Sequence, residues 1–175
     1  MSRMPITNPL RVGLRQERVI PPQCLIIFGA SGDLTHRKLI PALFELFKQR
    51  RLPSEFAVLG CARMPWSDQT FKDKMASSLG KEIKTDPLWK IFSESLFYQS
   101  VDLQSQEGLG KLKERLEEID RVKATHNNRT FYLSISPSFY KDAFRSLSSE
   151  GLLDDPKRSR LVIEKPFGRD YGSAQ

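Results

Sequence analysis

The sequence predicts an α/β protein: a doubly wound parallel sheet in three layers, with helices covering both faces. Three observations lead there. Short apolar runs without polar alternation, Cys24-Leu25-Ile26-Ile27-Phe28 and Phe56-Ala57-Val58-Leu59-Gly60-Cys61-Ala62, have the signature of strands buried on both faces. Stretches with apolar residues at helical spacing alternate with these runs. Crossovers of that length make the strands parallel and their connections right-handed. Finally, the first run enters a glycine turn, Gly29-Ala30-Ser31-Gly32-Asp33-Leu34, and a helical pattern follows it. Glycines let a backbone turn sharply and approach a ligand closely, and a helix N-terminus favours a phosphate. The pattern departs from G-x-G-x-x-G, since Ser31 and Leu34 stand where the second and third glycines belong, so on its own the turn fits either a phosphate site or a plain tight turn.

The elements follow in order. The first helix is expected over residues 33–51, with Pro41 either kinking it or opening a second helix. Leu43, Leu46 and Phe47 form its inward stripe. After the second strand, Ser67 caps a helix, with Trp66 and Phe71 at the spacing of a hydrophobic staple. A short helix holding Leu88, Ile91 and Phe92 precedes a third strand over 96–101. Leu109, Leu112, Leu116, Ile119 and Val122 define an amphipathic helix. A fourth strand covers 129–135, and Pro137 suits the first position of the next helix. That helix holds Phe139, Tyr140, Phe144 and Leu147 and ends at Gly151. Phe44, Phe47, Phe139 and Phe144 are all expected in the core. A fifth strand covers 161–164.

Composition narrows the function. The chain has 175 residues and a net charge of +7, which points to anionic ligands. No basic helix or recognition module is visible, so phosphorylated metabolites rank above nucleic acid, and no membrane association is expected. Cys24 and Cys61 match no metal or redox spacing, and only His36 and His126 are histidines, so no metal site is expected. Buried reduced thiols fit a cytoplasmic protein. Residues 1–22, rich in arginine and proline, are expected to form a flexible basic leader; residues 23–175 form a dinucleotide-binding domain.

In such a sheet a ligand lies at the carboxyl ends of the strands. Those ends offer the 29–34 turn, Arg63, Asp102-Leu103, the 134–136 turn and Glu164-Lys165-Pro166. Enzymes that use NAD often carry an acid after the second strand for the ribose 2′-hydroxyl. Here Arg63 stands instead, and a guanidinium pairs with a 2′-phosphate. The position therefore favours NADP, the alternative being an ordinary surface arginine. Lys165 has two readings: a contact to substrate, or an ion pair with Glu164 or another acid. No plausible general base for alcohol oxidation is present.

These motifs together resemble the glucose-6-phosphate dehydrogenases. The resemblance rests on Gly29-Ala30-Ser31-Gly32-Asp33-Leu34-Thr35-x-Arg37-Lys38-Leu39-x-Pro41, on Gly60-x-Ala62-Arg63, on Phe131-Tyr132-Leu133-Ser134 with Pro137, and on Glu164-Lys165-Pro166-Phe167-Gly168-Arg169-Asp170. It implies a Rossmann-type NADP-binding domain in which Gly29, Ala30, Ser31, Gly32, Asp33, Leu34, Thr35 and His36 line the pyrophosphate. It further implies that Arg63 holds the 2′-phosphate, that Asp102 and Leu103 lie near the adenosine, and that Tyr140 lies near the nicotinamide half. Lys165 would touch both the nicotinamide and the sugar, assisting catalysis. The implied reaction is oxidation of D-glucose 6-phosphate at C1 to the 1,5-lactone, the entry to the oxidative pentose phosphate route. The family's base and most sugar ligands follow the Glu-Lys-Pro motif, so the chain alone is expected to be inactive and the full-length protein a homo-oligomer. Two alternatives stand beside this: the coenzyme domain of another NADP-linked sugar oxidoreductase, and a non-catalytic NADP-binding module.

Overall fold

Residues 20–80 and 82–165 are described by the structure, a computed structural model. The expected leader therefore lies almost wholly outside the described residues. At its end, Pro22 is tied to the domain, its carbonyl accepting from Asn128 Nδ2 at 2.7 Å. Pro166 and the residues after it also lie outside.

The strands are β1 (Gln23–Phe28), β2 (Phe56–Ala62), β3 (Leu96–Ser100), β4 (Arg129–Leu133) and β5 (Ser159–Ile163). All neighbours pair in parallel, in the order β3-β2-β1-β4-β5. The helices are α1 (Ile40–Lys48), α2 (Asp68–Leu79), α3 (Pro87–Ser93), α4 (Gln106–Lys123) and α5 (Tyr140–Ser149). Alternate residues of the central strands feed two cores. Ile27 and Val58 pack with Ile40, Phe44, Phe71, Met75, Trp89 and Phe92 of α1–α3. Ile26, Phe28, Leu59 and Cys61 pack with Leu112, Leu116 and Ile119 of α4 and with Ala143 and Leu147 of α5. Period-two alternation thus divides the strand side chains between two helical layers, and the expected three-layer, doubly wound sheet is what forms. Among the described residues no helix is long and apolar enough to cross a membrane.

Several local expectations are corrected. The first helix starts at Asp33 as expected, but its Thr35–Leu39 turn is π-helical before the chain becomes α-helical at Ile40. Pro41 has no N–H to give to Arg37, and the Ile40 amide reaches back to the Thr35 carbonyl. On α1 the fully buried residues are Ile40 and Phe44; Leu43, Leu46 and Phe47 are half-buried. On α3, Trp89 and Phe92 face inward while Leu88 and Ile91 are exposed. Val122 is exposed at the end of α4, whose other expected positions are buried. Phe139 and Phe144 are exposed, and Ala143 and Leu147 take the core face of α5. Ala143 and Leu147, four residues apart, share the face of α5 turned to the sheet, and Phe144, adjacent to Ala143 in sequence, falls well round the helix from it. The staple at α2 is indirect: Trp66 and Phe71 each pack on Tyr98, with ring centroids 5.5 and 5.4 Å away.

Candidate functional site

From β1 the chain steps outward to β2 and β3 on one side, then crosses back to β4 and β5 on the other. The order reverses between β1 and β4, and connections leaving that point on opposite faces open a crevice. There the structure has a cleft of about 360 Å³, within the range of small-molecule sites. Its floor is Phe28, Cys61, Val101 and Ala143, and its polar rim is Ser31, Arg63, Asp102, Gln104, Ser136 and Asp142.

The glycine turn forms the inner edge. Gly29 and Ala30 both donate their amides to the Cys61 carbonyl, at 2.9 and 3.1 Å, and the Gly32 amide returns to the Gly29 carbonyl at 2.8 Å. Gly29 has a φ of +82°, and a Cβ there would lie 2.0 Å from the Ser134 carbonyl oxygen. Only glycine lets the end of β4 close on the turn this tightly. The helical turn after Gly32 then presents first-turn amides, which lack intrahelical acceptors.

Arg63 is held by its backbone. The Tyr98 hydroxyl donates to the Met64 carbonyl at 2.7 Å and the Ala62 carbonyl at 3.3 Å, and the Val101 amide donates to the Ala62 carbonyl at 2.9 Å. Burial, and then Cys61, push the Tyr98 phenol up to about 12, so it remains a donor. The guanidinium itself is exposed and, among the described residues, makes no ion pair. On the opposite wall the Leu103 carbonyl accepts from Ser146 of α5 at 2.7 Å, and Asp102 caps its own turn through the Gln104 amide at 3.1 Å.

Of the residues expected at the site, the cleft brings together Gly29, Ser31, Arg63, Asp102 and Leu103. Gly32, Asp33 and His36 line a second, shallower depression beside it. Asp33 is paired with Arg37 at 2.8 Å, both well exposed. The Ala30 and Thr35 side chains are fully buried, and neither residue lines the cleft. Thr35 Oγ1 and His36 Nε2 find no partner among the described residues. Burial, and then Lys74, hold the His36 imidazole below its ordinary pKa. Leu34 is half-buried, and neither Tyr140 nor Lys165 lines the cleft; Tyr140 instead contacts the Glu164 carbonyl at 3.4 Å. Ile135 and Ser136 of the expected 134–136 turn also line the cleft, and Met64, Gln104, Phe139, Asp142 and Ala143 line it without having been singled out from sequence as ligand-facing. For Phe139 and Asp142 a signal existed in Ser136-Pro137, which places a tight turn at the carboxyl end of β4.

A doubly wound parallel sheet with a glycine turn and a helix start at its switch point defines a dinucleotide-binding domain of the Rossmann type. The family model for the NAD binding domain of glucose-6-phosphate dehydrogenase matches residues 26–175, and the chain belongs to that family. The glucose-6-phosphate 1-dehydrogenase of Chlamydia pneumoniae is 39% identical over 174 residues, covering 93% of this chain and 33% of that protein. The enzyme of the same name from Aggregatibacter actinomycetemcomitans is 42% identical over 154 residues, covering 87% and 31%. A solved glucose-6-phosphate dehydrogenase in complex with its substrate glucose-6-phosphate superposes with a TM-score of 0.73 at 31% identity, over 88% of this chain and 32% of that one. The enzyme from Mycobacterium avium superposes with a TM-score of 0.72 at 26% identity, with the same coverage. The chain thus spans about a third of the length of these relatives.

Proposed function

We propose that this chain is the coenzyme domain of an oxidoreductase that oxidises D-glucose 6-phosphate at C1 to 6-phospho-D-glucono-1,5-lactone with NADP⁺. The observation carrying this reading is the pairing of the 29–32 turn with Arg63 across one cleft at the switch point. When bound, NADP⁺ supplies the hydride acceptor. The residues fit such a group: the cleft has an apolar floor suited to flat rings, the first-turn amides after Gly32 would hold the pyrophosphate, and the exposed Arg63 guanidinium would pair with the 2′-phosphate. Asp102, which lines the cleft, would accept from a ribose hydroxyl. Lys165, past the end of β5, is assigned to the nicotinamide and sugar end, where its ammonium would orient the C1 hydroxyl and ease loss of its proton. Two buried free thiols suit a reducing compartment, so we assign the protein to the cytoplasm. The family assignment motivates the further proposal that the whole protein is a homo-oligomer, which sedimentation would test.

Calorimetric titration of the 175-residue chain with NADP⁺ and NAD⁺ tests the coenzyme assignment. Charge-assisted hydrogen bonds contribute about 1.5–3 kcal/mol each, so Arg63→Ala should weaken NADP⁺ about tenfold or more and leave NAD⁺ nearly unchanged. Equal losses for the two coenzymes would overturn the role of Arg63.

A further inference from the structure

Two readings of Lys165 stood open in the sequence, and they turn on where the carboxylate of its neighbour Glu164 goes. Tyr132, in β4, lies in register with Ile27 of β1 on one side and Val162 of β5 on the other. Ile27 belongs to the core under α1–α3. Period-two alternation therefore puts the Tyr132 side chain on that face, and Glu164, two residues past Val162, beside it. There the Tyr132 hydroxyl donates to Glu164 Oε1 at 2.5 Å, a charge-assisted bond. From α5, on the other face, the Tyr140 hydroxyl donates to the Glu164 backbone carbonyl at 3.4 Å. One tyrosine fixes the carboxylate and the other the main chain. Burial, and then Glu164, push the Tyr132 phenol up to about 12, so it stays protonated and donating. Lys165 follows directly, is exposed, and forms no ion pair among the described residues.

We propose that Tyr132 is a positioning residue for Lys165: by holding the Glu164 carboxylate on the α1 face of the sheet, it keeps that carboxylate from neutralising the Lys165 ammonium, which stays available to a phosphate- or hydroxyl-bearing ligand at the carboxyl edge. The functional importance of this device rests on the assignment of Lys165 to the coenzyme and sugar; the device itself concerns three side chains and is tested without coenzyme.

The experiment is competitive acylation of the 175-residue chain with a succinimidyl ester at mildly alkaline pH, read lysine by lysine by mass spectrometry. Lys48 and Lys84, paired elsewhere with Glu45 and Asp73, serve as internal references. In Tyr132→Phe the freed carboxylate turns to Lys165, whose acylation should slow about threefold, the size an exposed ion pair allows. Adding Glu164→Gln removes the competing charge and should restore the parental rate. A merely structural Tyr132–Glu164 bond would give no such rescue. Parental acylation of Lys165 in Tyr132→Phe, or slowing that persists in the double variant, overturns the proposal. Unchanged reference lysines and circular dichroism establish that the variants are folded. Failure of NADP⁺ to bind the parent chain would instead overturn the functional assignment and leave the acylation result standing.

Discussion

Replacing Gly29 with alanine tests both the fold and the site. The new Cβ would lie 2.0 Å from the Ser134 carbonyl oxygen, 2.9 Å from its carbon and 3.1 Å from Ile135 Cγ2, where ordinary contact starts at 3.4 Å. The nearest atoms are backbone, so no side chain can swing aside. Retreat of residue 134 also strains the bond from its amide to the Phe28 carbonyl, 2.9 Å long, which closes the β1–β4 ladder. Left-handed backbone costs an L-residue about 1–2 kcal/mol, and overpacking adds about 1–3 kcal/mol. With the strained hydrogen bond, the loss should be about 3–5 kcal/mol, a large part of the roughly 5–15 kcal/mol that holds a domain together. Urea denaturation followed by circular dichroism measures it. Gly110→Ala is the control: it lies inside α4 with no atom within 4 Å of a Cβ. That change should stabilise by about 0.5–1 kcal/mol, because alanine costs less backbone entropy in a helix. A loss below about 1 kcal/mol in Gly29→Ala would show that the turn relaxes freely and that the close approach to β4 is not required.

Three further outcomes follow from the same geometry. Asp68 accepts from the Tyr98 amide at 2.7 Å and pairs with Arg115 at 2.5 Å, joining α2 to α4 around the edge of β3; Asp68→Asn should cost about 1–3 kcal/mol in denaturant midpoint terms. His36 is held below its ordinary 6.5 by burial and then by Lys74, so the unfolded chain takes the proton more readily. Stability should therefore fall as pH drops below 6.5, and His36→Gln should flatten that part of the profile in urea melts. Burial raises the Cys24 thiol to about 12 and Cys61 well above the usual 9.0; neither should react with Ellman's reagent until the chain unfolds, when both should. Rapid labelling of Cys61 in the folded chain would mean that the cleft floor opens.

Much of the architecture was legible because its cause is local. A strand covered by helices on both faces has no polar side, so β1 and β2 show as unbroken apolar runs. Ser67 caps α2 through the amide three residues on, as its spacing indicated; Ser105 caps α4 in the same way, although it had not been singled out. The glycine turn and Arg63 were legible for a related reason: each follows a strand, and a parallel sheet gathers strand ends at one edge. Helical phase was less secure. On α5 the expected Leu147 is buried, but Ala143 shares its face while Phe139 and Phe144 are exposed, because which face of a helix meets the sheet is set by packing and not by residue size alone.

Sequence alone determined the alternation of strands and helices, the place of the turn and the cation at the end of β2, since these follow from side-chain polarity and backbone freedom over a few neighbouring residues. Only the tertiary structure decided which distant groups meet. Tyr98 under Met64, Asp68 with Arg115, and Tyr132 with Glu164 are 34, 47 and 32 residues apart. Each contact exists because the sheet order brings two strand ends or two helices together, and no local pattern of polarity encodes that order.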